Sequence, residues 1–186
     1  MTNKIVLVAG ISLDGFIEGE NRDISWHRVD EEVHAHFNEY LATMGGFVSG
    51  RVTHELMAEF WPTADEDPTL DPTMAEFAGI WRDMPKFVFS STLTDPGWNT
   101  TVFPEVTAEA VDEIKTMVDG DLSLSGASLT RSFQRLDLID AYHLHIHPVL
   151  IGSGTPLFST PDATADLRLV ATRTFGNGVV LLDYER

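Results

Sequence analysis

The sequence predicts an α/β fold: a mixed, mostly parallel sheet with helices on both faces and an antiparallel hairpin at the C-terminal end. Short apolar runs of strand length alternate with segments of helical spacing along most of the chain. Three of those runs end in turns of small and hydroxyl residues that lead onward. The last two runs are joined by Gly176-Asn177-Gly178, a composition suited to positive φ and a tight hairpin. The 186 residues fit one domain, 1–186, with no internal repeat and no low-complexity tract.

The elements follow in order. Ile5–Gly10 is a continuous apolar run ending in glycine, the pattern of a buried first strand. A loop opens at Ser12-Leu13-Asp14-Gly15-Phe16 and runs to Trp26. Val33, Phe37, Tyr40, Leu41 and Met44 have helical spacing, with Asp30 as N-cap or first-turn acid. Gly45-Gly46 ends that helix, Phe47-Val48-Ser49 is a second strand, and Arg51–Phe60 is helical until Pro62. The stretch from Pro62 to Met84 is the least regular, with a short helix over Met74–Trp81. Lys86–Ser90 is a strong strand and Thr100–Phe103 a weaker one. Thr107 caps an amphipathic helix to Val118, Leu122–Ser125 alternates as a strand, and Ala127–Leu136 is helical. Asp140–Leu150 is the longest strand candidate, followed by Leu167–Phe175 and Val179–Glu185.

Bulk composition narrows the function. The absence of cysteine excludes disulfides, thiol nucleophiles and thiolate metal sites. A formal charge of −17 repels nucleic acid and anionic membrane, and no basic stripe offsets it. A small anionic ligand therefore needs a local cation or backbone N–H groups, which makes the few arginines informative. The apolar run Ile5–Ala9 is too short for a signal peptide or a membrane span, so the expected protein is soluble and cytoplasmic.

In an open α/β sheet, ligands bind beyond the carboxyl ends of the strands. Gly50-Arg51-Val52-Thr53 follows one strand and opens a helix. Glycine admits a phosphate close to the backbone, the helix start supplies free N–H groups, and Arg51 adds a cation. Read alone, the turn serves equally as an anion site or as a tight turn with a surface arginine. Ser90-Ser91-Thr92 and Gly126-Ala127-Ser128-Leu129 end two further strands. Either is an ordinary turn in isolation, and none of the three matches a dinucleotide fingerprint or a P-loop. Their convergence on one sheet edge points to a nucleotide.

The ordered set Ser12-Leu13-Asp14-Gly15-Phe16-Ile17, Gly50-Arg51-x-Thr53, Lys86-x-Val88-x-Ser90-x-Thr92-Leu93, Gly126-x-x-Leu129 and His145-x-His147-Pro148-Val149-x-x-Gly152-x-Gly154-x-Pro156-Leu157-Phe158 carries a resemblance. It resembles the dihydrofolate reductase-like superfamily, over nearly the whole chain. Within it the set is most similar to the reductase domain of the bifunctional riboflavin-biosynthesis deaminase–reductase and its stand-alone bacterial relatives. The resemblance implies a three-layer fold with about eight strands, NADPH as hydride donor and a homodimer. It assigns Gly50, Arg51 and Thr53 to the cofactor phosphates, with Val52 in the same cofactor-binding turn, and Ser90, Ser91 and Thr92 to the adenosine end, Arg51 favouring the 2′-phosphate. Gly126, Ala127, Ser128 and Leu129 would line the pyrophosphate and nicotinamide side, and Ala9 and Ile17 would flank the nicotinamide. Ala127 departs from the pattern, since many relatives carry a second glycine there; an unusual peptide at that place would strain the alanine.

The chemistry has three readings. In the first, an NADPH-dependent reductase acts on a small heteroaromatic or carbonyl-bearing molecule, pterin-like or pyrimidine-like. Asp14 then contacts substrate or forms an Asx turn with Gly15, and Trp26 walls the pocket or anchors its loop. Glu31 lies at the offset from Trp26 where folate reductases carry an acid on the first helix, so a buried carboxyl there could relay a proton. The acidic run Asp30-Glu31-Glu32 is equally explained by helix electrostatics. The second reading is a non-catalytic nucleotide-binding module. The third is a metal-dependent hydrolase built on His143-x-His145-x-His147, whose side chains share one strand face.

Overall fold

The computed structural model describes residues 2–158 and 165–186. The first strand, β1 (Ile5–Ser12), runs two residues beyond the apolar run that announces it. The loop after it holds a short strand, β2 (Phe16–Glu18). Helix α1 (Glu31–Leu41) starts where the Asp30 carboxylate accepts the Val33 N–H at 3.0 Å. Then come β3 (Gly46–Gly50) and α2 (Arg51–Phe60), which passes into a 3-10 turn over Trp61–Glu66. The irregular stretch contains a longer helix than its pattern shows, α3 (Pro72–Asp83), because Asp71 caps it and Pro72 suits its first turn. β4 (Lys86–Phe89), β5 (Thr100–Phe103), α4 (Ala108–Met117), β6 (Leu122–Leu124) and α5 (Ala127–Arg135) follow, with Thr107 capping α4 as expected.

β7 (Ala141–His147) stops short of the expected Leu150, because Pro148 has no N–H to continue the ladder. The segment after it returns as β8 (Thr155–Pro156), which pairs antiparallel with β2 and pins the first loop. Gly154, at φ 140°, lets the two segments meet: a Cβ there would lie 2.1 Å from the Glu18 carbonyl oxygen. β9 (Arg168–Thr174) and β10 (Val180–Glu185) form the closing hairpin, held by Phe175 and Val179 on either side of the glycine turn.

Eight strands form one sheet in the order β5-β4-β3-β6-β1-β7-β10-β9. The pairs from β5 to β7 are parallel, and β10 runs antiparallel to both of its neighbours. This is the dihydrofolate reductase-like architecture the resemblance implies. Alternation along β1 divides the core. Ile5, Leu7, Ala9 and Ile11 face α4 and α5 through Val111, Ile114, Leu129 and Phe133. Val6 and Val8 face α1 and α3 through Leu41, Phe77 and Trp81. Among the described residues, no helix is long and apolar enough to cross a membrane.

This topology places the site. The chain leaves β1 toward β3 on one side, whereas α5 carries it from β6 past β1 to β7 on the other. The connections reverse direction around β6 and β1, the place where open α/β sheets bind ligands.

Candidate functional site

β3 and β6 are neighbours, held in register up to their ends by the Ser125 N–H donating to the Val48 carbonyl at 3.0 Å. Each is followed at once by a helix. Gly50 caps α2 and Gly126 caps α5, and neither helix has a side-chain cap. The unpaired N–H groups of both first turns, with the positive ends of both dipoles, make this edge a place for an anion. The two turns touch. Gly126 sits at φ 92°, and a Cβ added there would lie 2.7 Å from Thr53 Oγ1. Only glycine tolerates that conformation, and only glycine leaves that gap. Ala127, by contrast, is the first residue of α5 and lies outside the left-handed region, so alanine is unstrained there.

The other cofactor candidates take up different positions. Arg51 is exposed and forms a two-pronged ion pair with Glu55, at 2.9 and 2.8 Å. Val52 and Ser128 are exposed beside the two helix starts, and Leu129 is buried in the core. Ser90 Oγ is used by its own turn, accepting the Thr92 and Leu93 N–H groups at 3.1 and 3.0 Å, while Ser91 and Thr92 are exposed. Ala9 is buried, and Ile17 packs against the same cluster from the pinned loop.

A cavity of about 180 Å³ lies on the other face of the sheet, under α1, α2 and α3. Phe37, Leu41, Met57, Phe77 and Trp81 form its apolar walls; Ser49, Thr53, Ser123 and Ser125 supply hydroxyls. Thr53 therefore borders both the Gly126 turn and the cavity. Lys86 is 2% exposed at the cavity wall. Its ammonium donates to the Met84 carbonyl at 2.8 Å and lies 4.2 Å from the Trp81 ring centre. Burial pulls its pKa down to about 8, against a smaller opposing pull from Asp83. His54, also lining the cavity, hydrogen-bonds the Pro96 carbonyl through Nε2 at 2.8 Å.

The substrate candidates do not line this cavity. Asp14 accepts the Ile151 and Gly152 N–H groups at 3.2 and 2.8 Å, so its carboxylate braces two loops rather than forming an Asx turn with Gly15. Those bonds, led by one from Ser12, lower its pKa. Trp26 donates to the Asp23 carbonyl at 3.0 Å and meets His27 edge-on, which anchors its loop. Glu31 is exposed on the first turn of α1, so the buried carboxyl expected there is not present. The helix buries Val33 instead, which is two residues and about 200° further round.

His143, His145 and His147 do share one buried face of β7, but His147 has surroundings of its own. His147 Nδ1 accepts the Arg28 N–H at 2.9 Å, and its ring stacks on His27. Burial takes its pKa down to about 4 and that of His145 to about 2, so both are neutral. Sequence reasoning missed Lys86 and the cavity serines. The available signal was a lysine opening the otherwise apolar strand Lys86-Phe87-Val88-Phe89.

Comparison with known proteins agrees with this fold. The family model described as the RibD C-terminal domain matches residues 3–181. The uncharacterized protein YyaP of Bacillus subtilis (strain 168) is 34% identical over 182 residues, 97% of this chain and 94% of that protein. YwjB of the same organism is 28% identical, covering 97% of each. A putative riboflavin biosynthesis protein from Shewanella sp. PV-4 superposes with a TM-score of 0.75 at 20% identity, over 98% of both chains. A diaminohydroxyphosphoribosylaminopyrimidine deaminase/5-amino-6-(5-phosphoribosylamino)uracil reductase from Thermotoga maritima gives 0.67 at 14% identity, over 99% of this chain and 56% of that one. A pyrimidine reductase-like protein from Corynebacterium diphtheriae gives 0.60 at 14% identity, over 98% and 91%.

Proposed function

Because the chain belongs to the RibD C-terminal domain family, we propose that it is an NADPH-dependent reductase acting on a small heteroaromatic or carbonyl-bearing acceptor. The observation that carries this reading is the meeting of two helix starts without side-chain caps, α2 and α5, across Gly126 and Thr53, beside an aromatic-walled cavity. The residues present fit a dinucleotide: the first-turn N–H groups of α2 and α5 hold its phosphates, and Gly126 lets it approach the backbone. When bound, the nicotinamide supplies hydride, and the protein's task is to orient the two partners and exclude water.

Arg51 exchanges its Glu55 partner for the 2′-phosphate, which favours NADPH over NADH. The flat walls of Phe37, Phe77 and Trp81 suit a planar ring, and Lys86 with Ser49 and Ser123 supplies donors to a carbonyl or ring nitrogen. No arginine lines the cavity among the described residues. This favours an acceptor without the phosphoribosyl group that the Thermotoga maritima enzyme's name carries. Titration by NADPH fluorescence tests the cofactor assignment. Saturable binding with a preference over NADH is expected, and Arg51→Ala should raise Kd for NADPH roughly tenfold, the loss of one charge-assisted contact. Absence of saturable binding, or equal affinity for the two cofactors, would sink the reading.

A further inference from the structure

Three histidines gather where α1 crosses β7. His36 comes from α1, His143 and His145 from β7, and each offers a ring nitrogen within 4.8 Å of the other two. His143 and His145 are 1% and 0% exposed, and His36 is half-buried. Nε2 of His36, Nε2 of His143 and both ring nitrogens of His145 are buried without a hydrogen-bond partner. Buried polar groups are normally paired, because desolvation without compensation is unfavourable. Four such atoms in one place call for a common partner.

The surroundings indicate its chemistry. Asp183 Oδ1 lies 2.6 Å from His143 Nδ1. That carboxylate takes the Nδ1–H and leaves the Nε2 lone pair pointing at the cluster, the arrangement that orients histidines bound to zinc. Tyr40 and Phe37 stack on His143 and His145, with ring centres 3.6 and 4.0 Å away, and fix both ring planes. Solvent reaches the cluster on the His36 side. We propose that His36, His143 and His145 form a binding site for a divalent transition ion of the zinc class, with Asp183 positioning His143.

The site differs from the one read from the strand pattern alone, since His147 Nδ1 is already committed to the Arg28 N–H and His36 takes its place. Three imidazoles and no carboxylate select zinc, cobalt or nickel over magnesium or calcium. Metal–nitrogen bonds of about 2.1 Å bring tetrahedral ligands to roughly 3.4 Å from each other, so the rings turn inward on binding. His36 also exchanges a partner. Its Nδ1 lies 3.3 Å from the Arg173 guanidinium, which donates as well to Glu32 at 3.1 Å. Ligation through Nε2 puts the proton on Nδ1, and Arg173 then stays with Glu32 alone. The ion ties α1, whose Phe37 and Leu41 wall the cavity, to the sheet. The inference does not depend on the reductase reading.

The test uses untagged protein freed of metal by chelator and titrated with Co²⁺, then Zn²⁺. One equivalent of Co²⁺ should produce a visible tetrahedral d–d band and paramagnetically shifted imidazole resonances, all abolished by Zn²⁺. Zn²⁺ should also raise the melting temperature. His36→Gln and His145→Asn should each weaken binding at least tenfold, while Arg173→Gln should leave it equal or tighter. The proposal is overturned if no band appears at one equivalent. It is equally overturned by multi-equivalent binding unchanged in both histidine variants, the mark of diffuse association with an acidic surface. The wild-type spectrum decides the matter even if a variant does not fold.

Discussion

Gly126→Ala is expected to lower affinity for NADPH at least a hundredfold. Two effects act together. At φ 92° and ψ 123° the backbone occupies a region that side-chain-bearing residues rarely adopt, which costs about 1–3 kcal/mol. The added methyl would also lie 2.7 Å from Thr53 Oγ1, so the start of α5 must move away from the start of α2. That separation opens the cradle in which the two sets of N–H groups act on one ligand. A hundredfold change corresponds to about 2.7 kcal/mol of lost binding energy, within reach of misplacing one helix terminus. Combining the change with Thr53→Ala separates the causes. The double variant relieves the contact but not the backbone strain, so stability should recover in part while NADPH affinity stays low. NADPH binding at wild-type affinity in Gly126→Ala would show that the α5 turn does not hold the cofactor.

The same glycine shows what the sequence reveals and what it conceals. Gly126 is legible as a strand-to-helix punctuation mark, as are the Gly176-Asn177-Gly178 hairpin, the Asp30 and Thr107 caps and most strands. Each depends on neighbours along the chain. The meeting of Gly126 with Thr53 depends instead on β3 lying beside β6, although some 70 residues separate them. The cavity has the same character, since its walls come from β1, β3, β4, β6 and three helices. Glu31 shows the limit from the other side. Its offset from Trp26 matches the position of a pocket acid, but a helix turns about 100° per residue. The stripe through Val33, Phe37 and Leu41 takes the buried face, and Glu31 points into solvent. Likewise β7 displays its three histidines in the sequence, but only packing against α1 brings His36 to two of them.

Lys86→Met is expected to make the protein more stable while weakening acceptor reduction. Lys86 is a full-length cation enclosed at the cavity wall, with a carbonyl and the Trp81 face as its contacts. Its pKa falls from 10.5 to about 8 because burial disfavours the charged form. The sign follows from proton counting. Between about pH 8 and 10.5 the unfolded chain binds more protons at this residue than the folded one, so stability rises with pH across that window. Below pH 8 the full penalty is present. At about 1.4 kcal/mol per pKa unit the ceiling is about 3 kcal/mol, from which the hydrogen bond to Met84 and the contact with Trp81 subtract about 1 kcal/mol or more. Methionine fills a similar volume without a charge, so a gain of about 1–2 kcal/mol at pH 7 is expected in urea unfolding. The gain should shrink by about pH 10 as wild type sheds its proton. A less stable variant, or a gain independent of pH, would show that the charge is not a burden on the fold. NADPH affinity should stay at the wild-type value, because Lys86 lies at the opposite end of β4 from the cofactor turns. Reduction of an acceptor should fall at least tenfold, the loss of one charged donor from an aromatic-walled pocket.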